Sequence, residues 1–503
     1  MFGCYHRNKI ENQMPNMTLR NITEACGGTY VGSQEHLLDV VEGVVIDSRQ
    51  VKRGFLYIPI KGEKVDGHEF IPDVFEKGAL SVLTEHALEN PAGPYILVDS
   101  TPEAMKAIAA FYRAHLPIKV VGITGSVGKT STKEMVSSVL SQKYSVLKTA
   151  GNYNNEIGLP LTIFQIHSCH QVAVLEMGIS DFGEMHRLAA MANPDICVIT
   201  NIGLCHLENL HTRDGILQAK TESFEHLTPE GIAILNGDDD KLCTQTEVNG
   251  RPAIFYGLGA EAKTAKTENA EAKTAEMMNE EAKTAESGTR MAVKSIYATD
   301  VENLGFEGIK ANIHTPQGTF EAHIPIAGEH NVYNALAATA VGLQLELTLE
   351  EIAAGIAAVQ TISGRTNFLD VNGMTVIDDC YNANPVSMAA SLDVLSHAAG
   401  RSIAVLGDMG ELGTDEKALH YQVGEVLGQK RIDTLFAAGA LAKEYADAAK
   451  KANPNCEIHY FTTREDMTKE LLSYVKEGDT ILVKASHFME FPKVIEELKS
   501  LAG

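Results

Sequence analysis

With 503 residues the chain is too long for a single hydrophobic core, and length alone sets an expectation of about three domains. Its formal net charge of −24 argues against a nucleic-acid partner, whose phosphates need basic surface, but leaves room for anionic small molecules held by a few local cations. No apolar run is long enough for membrane insertion, and the eight cysteines form no Cys-x-x-Cys pair and no zinc spacing, which fits a protein of the reducing cytoplasm.

Residues 1–16 carry Arg7 and Lys9 without an apolar stretch, so they are read as a loose extension rather than a secretory signal, with Met17 as an alternative start. Residues 17–100 follow as a small α/β unit. Polar residues flank its strand-like Phe55–Ile60: Asp47-Ser48-Arg49 on one side and Lys61-Gly62-Glu63 on the other. From the residues alone these are either ordinary polar turns or, through Ser48, Arg49 and Lys61, holders of a phosphorylated ligand. A helix from Thr101 to Leu116, with Pro102 in its first turn, leads into the next unit.

The stretch Lys119–Ser131 organises the rest. A short apolar strand runs into Thr124-Gly125-Ser126-Val127-Gly128-Lys129-Thr130-Ser131, and a helix continues to Leu140. Such a loop turns backbone N–H groups and a helix N-terminus toward a polyphosphate, with Lys129 adding charge and the Thr130 hydroxyl available to Mg²⁺. The strict eight-residue phosphate-loop pattern wants Gly where Ile123 stands, so the motif is the narrower T-G-x-x-G-K-T. Further strands at Val172–Leu175, Ile196–Ile199 and Ile232–Leu235 alternate with helical patterns and indicate a parallel, doubly wound sheet. Ligands bind beyond the carboxyl ends of such strands, which singles out Glu176, Thr200-Asn201 and Asn236-Gly237-Asp238.

Within 259–288, Glu-Ala-Lys-Thr-Ala recurs at 261, 271 and 281; this polar repeat cannot form a core and is read as a surface insert. The unit closes with Gly328-Glu329-His330-Asn331 and a helix on which Asn331 and Asn334 share a face. Helix capping and recognition of a base edge are both open for these two amides. From 365 to 503 the strand–helix rhythm restarts without G-x-G-x-x-G, giving a Rossmann-like unit with no support for a dinucleotide. The whole is thus an α/β chain of three domains: 17–100, a central phosphate-loop ATPase unit at 101–364, and 365–503.

Three stretches, Thr124–Thr130, Ala150-Gly151-Asn152-Tyr153-Asn154-Asn155-Glu156-Ile157-Gly158 and Gly328–Asn334, carry a resemblance to the Mur ligases of peptidoglycan synthesis that runs from about Met17 to Leu498. The blocks Asp378–Pro385, Gly407–Gly413 and Leu482–Ser486 are similar to those of family members that add a dipeptide. The resemblance implies ATP-driven activation of the terminal carboxylate of UDP-N-acetylmuramoyl-tripeptide as an acyl phosphate, then attack by D-alanyl-D-alanine, in a monomeric enzyme. It implies Lys129 on the β/γ-phosphates, Thr130 and Glu176 on Mg²⁺, and His206 with a carbamylated Lys220 at a second Mg²⁺. It further implies Arg365 at the γ-phosphate, Asn331 at the adenine, Asp379 at the ribose, and Ser48, Arg49 and Lys61 at the uridine diphosphate. Asn152, Asn154 and Asn155 would lie along the muramoyl peptide, and Lys484, Ser486, Asn382 and Asn384 at the incoming dipeptide. Lys484-Ala485-Ser486-His487 departs from the family's Lys-Gly-Ser-Arg. Alternatives are a Mur ligase adding a single amino acid, a folylpolyglutamate synthetase-like enzyme and a nucleotide-binding regulator without catalysis; substrate-dependent ATP hydrolysis separates enzyme from binder.

Overall fold

The computed structural model describes residues 14–259 and 294–501. The polar repeat, apart from Gly259, and residues 1–13 of the N-terminal extension lie outside them. Met14 does not belong to a loose segment: its side chain is fully buried in the first core and its N–H donates to the Val41 carbonyl at 3.1 Å.

The first sheet comprises β1 (Thr29–Val31), β2 (Gly43–Val45), β3 (Phe55–Tyr57), β4 (Ser81–Thr84) and β5 (Tyr95–Leu97), in the order β1-β5-β4-β3-β2. All pairs are parallel except β1 with β5. The helix that follows, Thr101–Ala114, is capped by the Ser100 hydroxyl with Pro102 in its first turn. Its apolar face (Ala104, Met105, Ile108, Ala109, Tyr112) enters a core shared with the second sheet, and Arg113 donates to the carbonyls of Ala192 and Asn193 at 3.0 and 3.1 Å. The helix therefore rivets the first unit to the second.

The central sheet contains β6 (Lys119–Thr124), β7 (Val146–Lys148), β8 (Val172–Glu176), β9 (Ile196–Ile199), β10 (Ile232–Asn236), β13 (Ile254–Leu258), β14 (Ile296–Asn303), β15 (Ile309–Thr315) and β16 (Gly318–Ile324). A small hairpin, β11 (Glu247–Val248) and β12 (Arg251–Pro252), stands apart. The order β16-β15-β14-β13-β10-β9-β6-β8-β7 puts β6 at the switch between its two neighbours. The seven strands from β7 across to β14 run parallel, as the βα rhythm predicts, but β15 pairs antiparallel with both β14 and β16, so the sheet is mixed rather than wholly parallel. The cause is local: residues 309–324 form two alternating strands joined by a two-residue turn, too short for a crossover helix.

The third sheet has β17 (Asn367–Val371), β18 (Met374–Asp378), β19 (Ser402–Gly407), β20 (Thr434–Ala438), β21 (Glu457–Phe461) and β22 (Thr480–Lys484), ordered β17-β18-β22-β19-β20-β21 and parallel except for β17. Leu204, Phe306 and Ala327 of the central unit pack on its core, and the Phe306 and Phe368 rings lie 4.9 Å apart. No helix among the described residues is long and apolar enough to cross a membrane.

Candidate active site

The register of the central sheet builds the site. Ile123 pairs with Glu176 and Thr124 with Ile199, so β6, β8 and β9 end at one level. The loop leaving β6 is clamped by the end of β9. Ser126 and Val127 N–H donate to the Asn201 carbonyl and side-chain oxygen, both at 3.0 Å, and the Thr200 hydroxyl donates to the Val127 carbonyl at 2.6 Å. A side chain at Gly125 (φ 147°) would place its Cβ 1.9 Å from that same hydroxyl, so only glycine admits the clamp. Gly128 (φ 84°) then turns the chain into the helix Lys129–Leu140. The first N–H groups of that helix have no intrahelical acceptor and face the loop's concavity, an anion site by construction. Lys129 Nζ curls over the loop onto the carbonyls of Gly125 and Ser126, at 2.8 and 3.4 Å.

Beside this cradle the polar groups are left incomplete. Glu176 is buried; its Oε1 accepts from the Thr130 hydroxyl at 3.2 Å and from the Asn154 amide at 2.8 Å. Its Oε2 has no hydrogen-bond partner among the described residues, with the Lys133 ammonium 3.7 Å away. A buried, underused carboxylate oxygen next to a threonine hydroxyl is the hard oxygen donor set that Mg²⁺ takes, so these residues fit that ion. Lys220 is fully buried in the helix Arg213–Thr221, and its Nζ also lacks a partner. Burial pushes its ammonium down to about 8, with the nearby Lys129 charge acting the same way. About one amine in ten is then neutral at pH 7, against fewer than one in a thousand for an ordinary lysine. A neutral amine is what carbamylation by CO₂ requires.

The third unit closes over this face. His206, in a left-handed backbone conformation (φ 52°), meets Glu411 (φ 60°) with Nδ1 to Oε2 at 2.6 Å. The imidazole holds the Glu411 carboxyl below its usual range. A cleft of about 570 Å³ lies next to the pair, between Leu207–His211 and Glu411–Glu416. Arg365 stacks on the Tyr381 ring at 4.2 Å. Burial pushes the Tyr381 phenol up; Arg365 opposes this and the Glu176 charge adds to it, which puts the pair within electrostatic reach of the central site.

Other expected site residues are engaged in building the protein. Asn331 and Asn334 are buried and bonded to each other at 2.9 Å, and Asn334 accepts from Thr132 of the phosphate-loop helix at 2.8 Å. Capping is excluded for them, since Glu329 is the N-cap and makes no side-chain cap bond. Asp379 has three partners inside the protein: Oδ1 accepts from Thr366 N–H at 3.1 Å, and Oδ2 from Ser391 and from Lys484 at 2.7 Å. Lys484 spends its remaining donors on the carbonyls of Asn382 and Asp379, at 3.1 and 3.4 Å. Ser486 is buried between Gly410 and Ala383. Asn384 caps the helix Pro385–Leu395 in a reciprocal box with Ser387, which commits its side-chain oxygen to the fold. Asn155 accepts from Ile157 and Gly158 N–H at 3.2 and 2.8 Å in the same manner. Asn152 and Asn382 are exposed. In the first unit Ser48, Arg49 and Lys61 follow the ends of the adjacent parallel strands β2 and β3. Arg49 is highly exposed and holds Asp47, whose carboxyl is pulled down to about 2.

Asn201, singled out by its place beyond a strand end, clamps the loop. Two residues escape a reading of motifs: Glu411 reaches His206 from the third unit, and Lys133 donates to Thr149 O at 2.8 Å while flanking Glu176. Of the two, Lys133 had a signal in its position three residues after Thr130 on one helix face.

These features define an ATP-dependent ligase built on three units, and the chain belongs to the Mur ligase family. The family's profiles match in three places: "Mur ligase family, catalytic domain" at residues 40–113, "Mur ligase middle domain" at 123–342, and "Mur ligase, glutamate ligase domain" at 364–487. Among its relatives is the UDP-N-acetylmuramoyl-tripeptide–D-alanyl-D-alanine ligase of Bacillus subtilis, 35% identical over 96% of this chain and 98% of the relative. The Escherichia coli ligase of the same name is 31% identical over 97% and 99%. Among solved structures, MurF from Acinetobacter baumannii superposes with a TM-score of 0.81 at 29% identity, over 96% of this chain and 98% of that one. The MurF ligase of Thermotoga maritima in complex with ADP gives 0.74 at 28%, over 91% and 97%.

Proposed function

We propose that the chain joins D-alanyl-D-alanine to UDP-N-acetylmuramoyl-tripeptide at the expense of ATP, in the synthesis of peptidoglycan precursor. One observation carries the reading: a phosphate cradle flanked by two buried, partnerless polar atoms, Glu176 Oε2 and Lys220 Nζ, with Arg365 and Glu411 of another unit facing it. The near full-length likeness to ligases of that name supports the choice of substrates.

ATP enters with its β- and γ-phosphates in the 125–130 loop, where helix N–H groups and Lys129 take up their charge. Thr130 and Glu176 would hold one Mg²⁺, and His206 with a carbamylated Lys220 a second; ions bound there would supply positive charge against the transferred phosphoryl group. Glu411 accepts from His206 Nδ1, which fixes the ring and leaves Nε2 free to act as a ligand. Arg365, held flat by Tyr381, supports the transferring phosphoryl, which passes to the terminal carboxylate of the tripeptide. The dipeptide amine attacks the resulting acyl phosphate and phosphate departs. Asn331 and Asn334 act by fixing their helix against the loop helix. Asp379, Lys484 and Ser486 act by holding the 379–384 turn, and Ser48, Arg49 and Lys61 receive the uridine diphosphate.

The test is phosphate release from ATP with UDP-N-acetylmuramoyl-tripeptide, offered D-alanyl-D-alanine or single amino acids in parallel. Release with the dipeptide alone is expected. Release with a single amino acid moves the chain to another branch of the family, and silence with every acceptor removes the ligase reading.

A further inference from the structure

Away from the cleft, the helix Glu184–Ala192 and the short helical turn Glu222–His226 are bound together by Glu222. Its carboxylate accepts from Gly183 N–H at 3.0 and 3.1 Å and from His186 N–H at 3.2 Å. That tie brings three further side chains to one point. His186 Nδ1 lies 2.7 Å from Glu225 Oε2 and 3.2 Å from His226 Nε2, and the two imidazoles meet edge to face with centroids 4.5 Å apart. It is the one group of three or more His, Cys, Asp or Glu among the described residues whose ligand atoms all fall within 4.8 Å of one another.

Protons alone do not satisfy this arrangement. The contact to Glu225 places the single proton of His186 Nδ1 between nitrogen and carboxylate. His226 Nε2 then faces a nitrogen already donating elsewhere: unprotonated it shares that proton poorly, and protonated it meets another N–H head-on. A cation resolves the conflict. Two ligand atoms each ~2.0 Å from a tetrahedral zinc stand about 3.3 Å apart, close to the 3.2 Å between these two nitrogens. The Glu225 oxygen, 2.7 Å from His186 Nδ1 and within 4.8 Å of His226 Nε2, reaches the same ~3.3 Å spacing from His186 by moving outward about 0.6 Å.

We propose that His186, Glu225 and His226 form a surface site for a zinc-class divalent cation, with two imidazoles, one carboxylate and a water-filled fourth position. Borderline ions that accept imidazole are selected over Mg²⁺, which prefers oxygen donors and six-coordination. The site clamps the helix that follows the Glu176 strand to the turn that continues directly from the Lys220 helix. It is independent of the substrate assignment above.

The experiment uses the full chain, stripped with chelator and held in millimolar Mg²⁺ with ADP so that the nucleotide site does not contribute. Calorimetric titration with zinc chloride is expected to show one equivalent bound at micromolar or tighter affinity, together with a rise in Tm. Cobalt(II) in place of zinc should give the visible absorption of a four-coordinate site. His186→Ala and His226→Ala should each weaken zinc binding by more than about tenfold, the least that disturbing a metal's ligand sphere costs. The surface control His323→Ala should leave it unchanged. Both variants alter exposed or half-exposed side chains, so folding is checked independently by Tm without metal. Zinc binding that survives both substitutions, or a wild-type chain that takes up no zinc at 100-fold excess, overturns the proposal.

Discussion

The strand ends of the central and third sheets both carry a row of charged residues, yet they are finished differently. Around the phosphate loop, Thr124 Oγ1, Glu176 Oε2 and Lys220 Nζ are buried without hydrogen-bond partners. At the third sheet, Asp378, Asp379, Lys484 and Ser486 are just as buried, and each has its partners inside the protein. Leaving a buried polar atom unpaired costs about 1–3 kcal/mol, so three such atoms at one place are tolerated only where something outside the chain completes them. The first row is a site awaiting occupants. The second is scaffolding that shapes the turns around it.

The comparison breaks most readily at Lys484. Lys484→Met strands the Asp379 carboxylate, and a broken buried pair costs about 3–5 kcal/mol. The unfolding free energy from denaturant titration should fall by that amount while kcat per folded molecule, read at low temperature, stays within a few-fold. A large loss of activity at unchanged stability would mean that Lys484 faces substrate after all. Lys220→Met is the mirror experiment. It removes a partnerless amine, so stability should hold or rise, while kcat falls on the order of 10²- to 10³-fold, the scale of losing one preorganised electrostatic group.

A pH series sharpens the same contrast. In CO₂-free buffer Lys220 titrates at about 8 in the folded chain and at its ordinary 10.5 when unfolded. Below pH 8 both states hold the proton and the cost of burying the charge stands in full. Between the two values the unfolded chain binds more protons, so stability climbs with pH by on the order of 3 kcal/mol, and the gain is complete above 10.5. Urea denaturation at pH 8 and pH 10 should show this climb in the wild type and not in Lys220→Met, other titrations cancelling in the difference. Parallel curves would remove Lys220 from the buried, proton-poor state.

How much of this was legible in the sequence follows the range of the interactions. The strand–loop–helix around Gly125 and Gly128 is local, and its residues fixed their own conformation. Period and turn residues also gave four strands of the third unit, β18, β19, β20 and β22, but not the edge strands β17 and β21. The β15–β16 hairpin was legible in principle, since Ile309–Ile324 alternates, but the surrounding βα rhythm drew the reading toward a wholly parallel sheet. His206 with Glu411, and Asn334 with Thr132, join residues far apart in the chain, and no periodicity reports such pairs. The internally bonded carboxylate of Asp379 was invisible for a different reason. Sequence shows which groups can bind a ligand but not whether the fold has already used them.

Asn384 gives the smallest and cleanest test of that last distinction. The run Asn384-Pro385-Val386-Ser387 is a helix start by its own chemistry, with an N-cap amide, proline in the first turn and a reciprocal serine three residues on. The family resemblance pointed instead to the dipeptide. Asn384→Ala removes one cap from a helix whose apolar face (Met388, Leu392, Leu395) is packed in the third core, so the fold survives with a loss of about 1 kcal/mol. Asn384→Asp keeps an acceptor at the cap and should recover most of it. If the residue serves only the helix, KM for D-alanyl-D-alanine stays unchanged in both variants. A rise in KM that the aspartate fails to rescue, at restored stability, would show that the amide also touches the dipeptide and that the row of strand ends at the third sheet is scaffold and site together.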